Sequence, residues 1–160
     1  MSWGGRGALW VGLALAIYFL ASAAGFDRYP RVWVDEGWIA EPAWTFAQGG
    51  PLANPSHGSL HEYDQRLYWM PPLYFLALSV PYSFADDPLL AGRVVSMFAG
   101  ALGLSALLYL GKRLVGGGQA QILWLGWLVL AFTLDPTLWK VHRSIRFEAL
   151  TGALLLSTVL

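Results

Sequence analysis

Charged residues are missing from long stretches of this chain and crowded into short ones. Residues 8–26 form a run of 19 without a charge, with Arg6 before it and Asp27 after it. A bilayer span needs about 20 apolar residues, so this run predicts a first membrane helix. Residues 27–66 are polar and hold Pro30, Pro42, Pro51, Pro55 and the Gly49-Gly50 pair. Within them Glu36 to Gln48 reads as a helix stopped by the two glycines, with Asp35 at its N-cap. Pro42 predicts a kink there, or a later start.

Residues 67–85 are again 19 uncharged positions, but Pro71, Pro72 and Pro81 interrupt them. The prolines leave Leu73 to Pro81 for an unbroken helix, far short of the ~20 residues of a span, so the segment reads as interfacial. The next span covers about 90–111 and is entered past Arg93, which can snorkel to the surface. Lys112-Arg113 and Gly116-Gly117-Gly118 read as a tight turn, and 114–134 as the following span. Residues 135–148 carry Lys140, His142, Arg143, Arg146 and Glu148 before a new apolar run, 149–160. That run has 12 residues, so the chain reads as the N-terminal portion of a longer membrane protein. The fold expectation is all-α and integral to the membrane: about four transmembrane helices, with an outer loop over 27–88 carrying short juxtamembrane helices. A cleaved signal peptide is the rival reading of the first run, because Ala21-Ser22-Ala23-Ala24-Gly25 resembles a cleavage site.

Composition agrees with a membrane chain. Charged residues are 12% of the sequence and hydrophobic ones 56%, against roughly 25% charged in average soluble domains. Zero net charge argues against a nucleic-acid partner, and the absence of cysteine excludes disulfides and thiolate metal sites.

Charge placement leaves two topologies. If 67–85 crosses the bilayer, Lys140, Arg143 and Arg146 join Arg6 inside, as the positive-inside rule prefers. If it does not, they share the outer side with Asp35-Glu36. The prolines favour the second arrangement, and a basic cluster on an outer face then suits an anion.

Three groups of residues carry candidate chemistry. Asp35 and Glu36 lie close to a predicted span, where carboxylates are costly unless used. They also suit ordinary helix capping, and a capped carboxylate stays ionised and able to take a proton. Arg143 and Arg146, three apart, would share a helix face and form a fork for phosphate, with Glu148 at the mouth of the next span. The bland alternative is a charged loop among lipid headgroups. Tyr68-Trp69-Met70-Pro71-Pro72-Leu73-Tyr74 opens an aromatic interfacial segment. His61, Glu62 and Asp64 precede it with a spacing open to a metal, a weak signal in a loop. No Walker loop, dinucleotide fingerprint or Ser-His-Asp order is present.

The order of these motifs resembles a known family. Asp-Glu follows a first span; then come Tyr-x-x-Pro-Pro-Leu-Tyr, Ala-Gly-Arg before a span, a Gly-Lys-Arg-Leu-Val-Gly turn and an Arg-x-x-Arg-x-Glu loop. From about Tyr18 to Leu160 this is similar to the N-terminal part of the GT-C fold glycosyltransferases, in the protein O-mannosyltransferase and aminoarabinose–lipid A transferase group. The resemblance implies a multi-pass enzyme of the inner (plasma) membrane with its active site on the periplasmic, extracytoplasmic side. It would move a sugar, with inversion, from a polyprenyl-phosphate donor to a protein, lipid or glycan acceptor. Asp35, Glu36 and Glu148 map to catalytic acids and Arg143 and Arg146 to donor-phosphate ligands. Tyr68 and His61 are assigned to substrate positioning. No metal or other cofactor is required, since arginines can hold the phosphate. Two positions depart from the family pattern: Met70 stands where many relatives have Lys, and Glu148 where relatives often have Asp. A non-catalytic module that binds prenyl-phosphate lipid, or serves as an accessory subunit, is the alternative.

Overall fold

The computed structural model describes residues 5–26, 31–32, 34–58, 62–66, 70, 72–115 and 118–158. Among these the secondary structure is wholly helical. The elements are α1 (Gly5–Ala23), α2 (Val34–Ala47), a single 3-10 turn (Pro55–His57), α3 (Pro72–Tyr82), α4 (Pro88–Leu114), α5 (Gln119–Leu134), α6 (Pro136–Arg143) and α7 (Phe147–Thr158).

α4 organises the fold. At 27 residues it is about 40 Å long, and every other α-helix packs against it. Among the described residues it alone is long and apolar enough to cross a bilayer; α5 and α6 meet that test only as a pair bent by 63°. α1, α5 and α7 fall on the other expected spans; α5 and α7 run 16 and 12 residues, and the described apolar part of α1 is Leu9–Ala23. α4 also corrects the expected turn at Lys112-Arg113. The helix runs through both residues to Leu114, where Val115 N–H closes the last turn on Gly111 O, and the reversal comes at Gly118. Gly118 has φ +95°, a conformation glycine adopts without steric cost.

Two Asp-Pro pairs set helix starts. Asp87 accepts from Leu90 N–H (3.0 Å) ahead of Pro88, and α4 begins there. Asp135 accepts from Thr137 and Leu138 N–H (2.9 and 2.8 Å) ahead of Pro136, and so ends α5 and starts α6. In each case the proline fills a position whose N–H would have no helical partner.

α2 begins one residue before Asp35, so Asp35 lies in the first turn and is not the cap. The helix passes through Pro42, which leaves Trp38 O without its i+4 donor. With its amide nitrogen facing its two neighbouring acceptors, buried Asn54 donates to that oxygen at 3.2 Å and repairs the gap. α3 has 11 residues, about 16 Å, and packs on α2 and α4.

Burial divides into two cores. Ala14 and Tyr18 of α1, Leu104 and Leu108 of α4, and Val129 and Phe132 of α5 make one. Ile39 and Ala43 of α2, Tyr74, Phe75, Leu78 and Tyr82 of α3, and Ile145 make the other. Ile145, wholly buried, plugs the α6–α7 turn into the α2–α3 core. The turn and α2 therefore share one end of α4, and Lys112-Arg113 sit at the opposite end.

Candidate active site

Consecutive residues on a helix point about 100° apart. At the start of α2 this sends Glu36 inward and Asp35 outward. Glu36 is 0% exposed and meets Arg93 of α4, 1% exposed, in a fork: Arg93 Nε donates to Oε1 and Nη2 to Oε2, both at 3.0 Å. Glu36 Oε1 also accepts from Ile145 N–H at 3.0 Å. Arg93 Nη1 donates to Phe26 O at 3.2 Å. One carboxylate thus ties together α2, α4 and the α6–α7 turn, while its arginine reaches the end of α1. Arg93 does not snorkel: with a buried carboxylate beside it, pairing replaces hydration.

Asp35 is 46% exposed along its side chain, and its Oδ2 lies 3.2 Å from Arg146 Nη2. Arg146 Nη1 lies 3.3 Å from Glu148 Oε1, so one guanidinium, 20% exposed, is shared by two carboxylates. The Arg146 backbone is fixed as well. Its N–H donates to Ser96 Oγ (3.2 Å), which is hydrogen-bonded to the Tyr74 hydroxyl at 2.7 Å. Burial raises the Tyr74 pKa above its ordinary value, so this hydroxyl stays a neutral strut.

Arg143 and Arg146 do not share a helix face. α6 ends at Arg143 and Ser144 is extended, so the i, i+3 spacing is broken between them. Arg143 is 1% exposed; its Nη2 donates to Ala24 O (2.6 Å) and its guanidinium lies 4.1 Å over the Trp139 ring. Burial, and next the nearby Arg93 charge, pull its pKa below the usual value.

His142 is buried, stacked on Phe132 at 4.7 Å, and its Nδ1 has no hydrogen-bond partner among the described residues. α6 turns 63° away from α5 and carries Lys140 and Arg143. Desolvation lowers the His142 pKa to about 4, so the imidazole is neutral. A cavity of about 280 Å³ runs between α4, α6 and α7, with His142 and Glu148 beside Gly100, Gly103 and Gly152. A second, about 320 Å³, lies between α1 and α5 and touches none of the acids.

The structure therefore brings Asp35, Arg146 and Glu148 together and separates Glu36 and Arg143 from them as buried anchors. Tyr68 and His61 lie outside the described residues. Glu62 pairs with Arg66 (3.4 Å), and among the described residues no group of three His, Asp or Glu side chains is placed to hold a metal. Arg93, Ser96 and Tyr74 were not singled out from sequence as site residues. An arginine inside the otherwise uncharged stretch 88–111 was the available signal, because such a charge requires a partner. In comparisons with protein-family models, curated proteins and solved structures, nothing matches this chain.

Proposed function

We propose that the protein is a membrane glycosyltransferase that moves a sugar from a polyprenyl-phosphate donor to an acceptor on the non-cytoplasmic face, with inversion. The observation that carries this reading is the Asp35–Arg146–Glu148 group, held at one end of an apolar helical bundle by the buried Glu36–Arg93 pair. In a multi-pass arrangement α1, α4, α5 and α7 cross the bilayer, while α2, α3 and α6 lie on its outer surface.

The chemistry follows from the charges. An acceptor hydroxyl oxygen bonds to the anomeric carbon as the carbon–phosphate oxygen bond breaks. The bonding pair leaves with the lipid phosphate, and the hydroxyl proton passes to Asp35. Arg146, part-exposed, meets the growing phosphate charge, and Glu148 keeps its guanidinium aimed. Glu36, fully buried, serves as the scaffold that sets Asp35 at this edge, and Arg143 fastens α6 to the end of α1.

The test is transfer by the full-length protein in proteoliposomes supplied with radiolabelled polyprenyl-phosphate hexoses and pentoses. Asp35→Asn should insert normally and lose transfer. Retained transfer would remove Asp35 from the mechanism. Binding of the lipid without turnover in the wild type would favour the non-catalytic module.

A further inference from the structure

Further along α2 from Asp35 lies a second cluster that the proposed mechanism does not use. The Pro55–His57 turn is fastened to α2 through Glu41. Its Oε1 accepts from Ser56 N–H (2.9 Å) and its Oε2 from Ser56 Oγ (2.5 Å). Asn54 donates to the same Oε2 at 3.2 Å. Ser56 Oγ also lies 3.0 Å from His57 Nδ1. An ionised carboxylate only accepts, so the single Ser56 proton goes to Glu41. Ser56 Oγ is then left to accept, and Nδ1 must carry the imidazole proton. The relay runs Nδ1–H to Ser56 Oγ–H to Glu41, and in a neutral imidazole the lone pair then sits on Nε2.

The ring is also held by stacking. Its centroid is 3.9 Å from that of Trp38, and Trp38 meets Tyr63 edge-on at 6.3 Å. Trp38 follows Asp35 by three residues, so the two share a face of α2 one turn apart. The His57 side chain is part-exposed. Fixing one imidazole nitrogen through a carboxylate relay is how proteins aim the other nitrogen at a ligand.

We infer that His57 is a substrate-positioning residue whose Nε2 accepts a hydrogen bond from a sugar hydroxyl held at the Asp35 face, with the Trp38 stack fixing the ring. This rests on the transferase reading, but it is tested by a different signal. In the full-length protein labelled with 15N-histidine in nanodiscs, His57 should be the Nδ1–H tautomer. Its Nε2 resonance should move when a polyprenyl-phosphate hexose is added. His57→Asn keeps a donor where Nδ1 was and removes Nε2. It should raise KM for the lipid sugar about tenfold with kcat unchanged, the share of one neutral hydrogen bond, and lower Tm only by what the Trp38 stack contributes. His57→Gln keeps an acceptor near Nε2 but loses the relay, and should lower Tm while recovering part of the KM loss. An Nε2–H tautomer, an Nε2 signal unmoved at saturating lipid, or a wild-type KM in His57→Asn would overturn the assignment. Absence of Asp35-dependent transfer alongside a shifted Nε2 signal would instead overturn the transferase reading and leave a sugar-lipid site.

Discussion

Replacing Glu36 by Gln tests whether the two adjacent acids divide between structure and chemistry. Glu36 has no exposed surface and accepts three hydrogen bonds, two from Arg93 and one from Ile145 N–H. Gln keeps one acceptor oxygen, but its amide nitrogen then faces an arginine donor, and the Arg93 charge stays buried without a counter-charge. Removing one partner of a buried ion pair costs about 3–5 kcal/mol, a large share of a stability of roughly 5–15 kcal/mol. Converting both partners, Glu36→Leu with Arg93→Met, removes the stranded charge and leaves chiefly the Ile145 N–H unpaired. That is a loss of about 1–3 kcal/mol, so the double variant should be more stable than either single one. Unfolding in detergent micelles, followed by tryptophan fluorescence across the four proteins of the cycle, gives the coupling energy directly. If Glu36→Gln unfolds within about 1 kcal/mol of wild type, or if the double variant loses the sum of the single losses, Glu36 is not an anchor. Wild-type stability with abolished transfer would move it into the chemistry.

Three other expectations separate the site from its frame. Asp35→Asn removes a half-exposed ion pair worth about 0–1 kcal/mol, so unfolding should barely change while transfer falls about 100-fold or more. The His142 pKa is lowered from 6.5 to about 4, so its contribution to stability is present above pH 6.5 and is lost as pH falls towards 4. Unfolding curves should show a loss of about 3 kcal/mol over that window, and His142→Leu should flatten it. Gln48, after α2, and Thr137, in α6, are both exposed. Single cysteines there should both label from outside intact cells, and labelling of Thr137→Cys only after permeabilisation would refute the proposed outer face.

The extent of legibility in the sequence differs from residue to residue for physical reasons. Asp35, Arg146 and Glu148 stood out because a charge in an apolar chain is conspicuous at any distance. The short α3 was legible too, since proline limits a helix through local sterics alone. The Glu36–Arg93 pair was not legible: its members are 57 residues apart, and only the packing of α2 on α4 joins them. Arg143 and Arg146 failed for the opposite reason. Their spacing was local, but it assumed a helix that Ser144 ends. Pro42 marked a lost hydrogen bond in α2 without naming its replacement, and Asn54, twelve residues on, supplies it.

Under the proposed function, the geometry gives the two adjacent acids different tasks. A carboxylate that keeps an exposed edge for an incoming acceptor gives α2 little hold on the bundle, because a surface ion pair is worth little. A fully buried one holds the helix firmly but is closed to any substrate. Neighbouring positions about 100° apart on one helical turn let a single segment do both. Glu36 grips Arg93 and Ile145 from below, and Asp35 meets Arg146 at the rim. Exchanging the two residues, Asp35→Glu with Glu36→Asp, should therefore fail even though composition and net charge are unchanged. In the exchanged protein the inward carboxylate is one methylene too short to fork Arg93 and still reach Ile145 N–H. Thermal unfolding and transfer by this double variant provide the check. If it folds and transfers like the wild type, the division of labour is not set by this geometry.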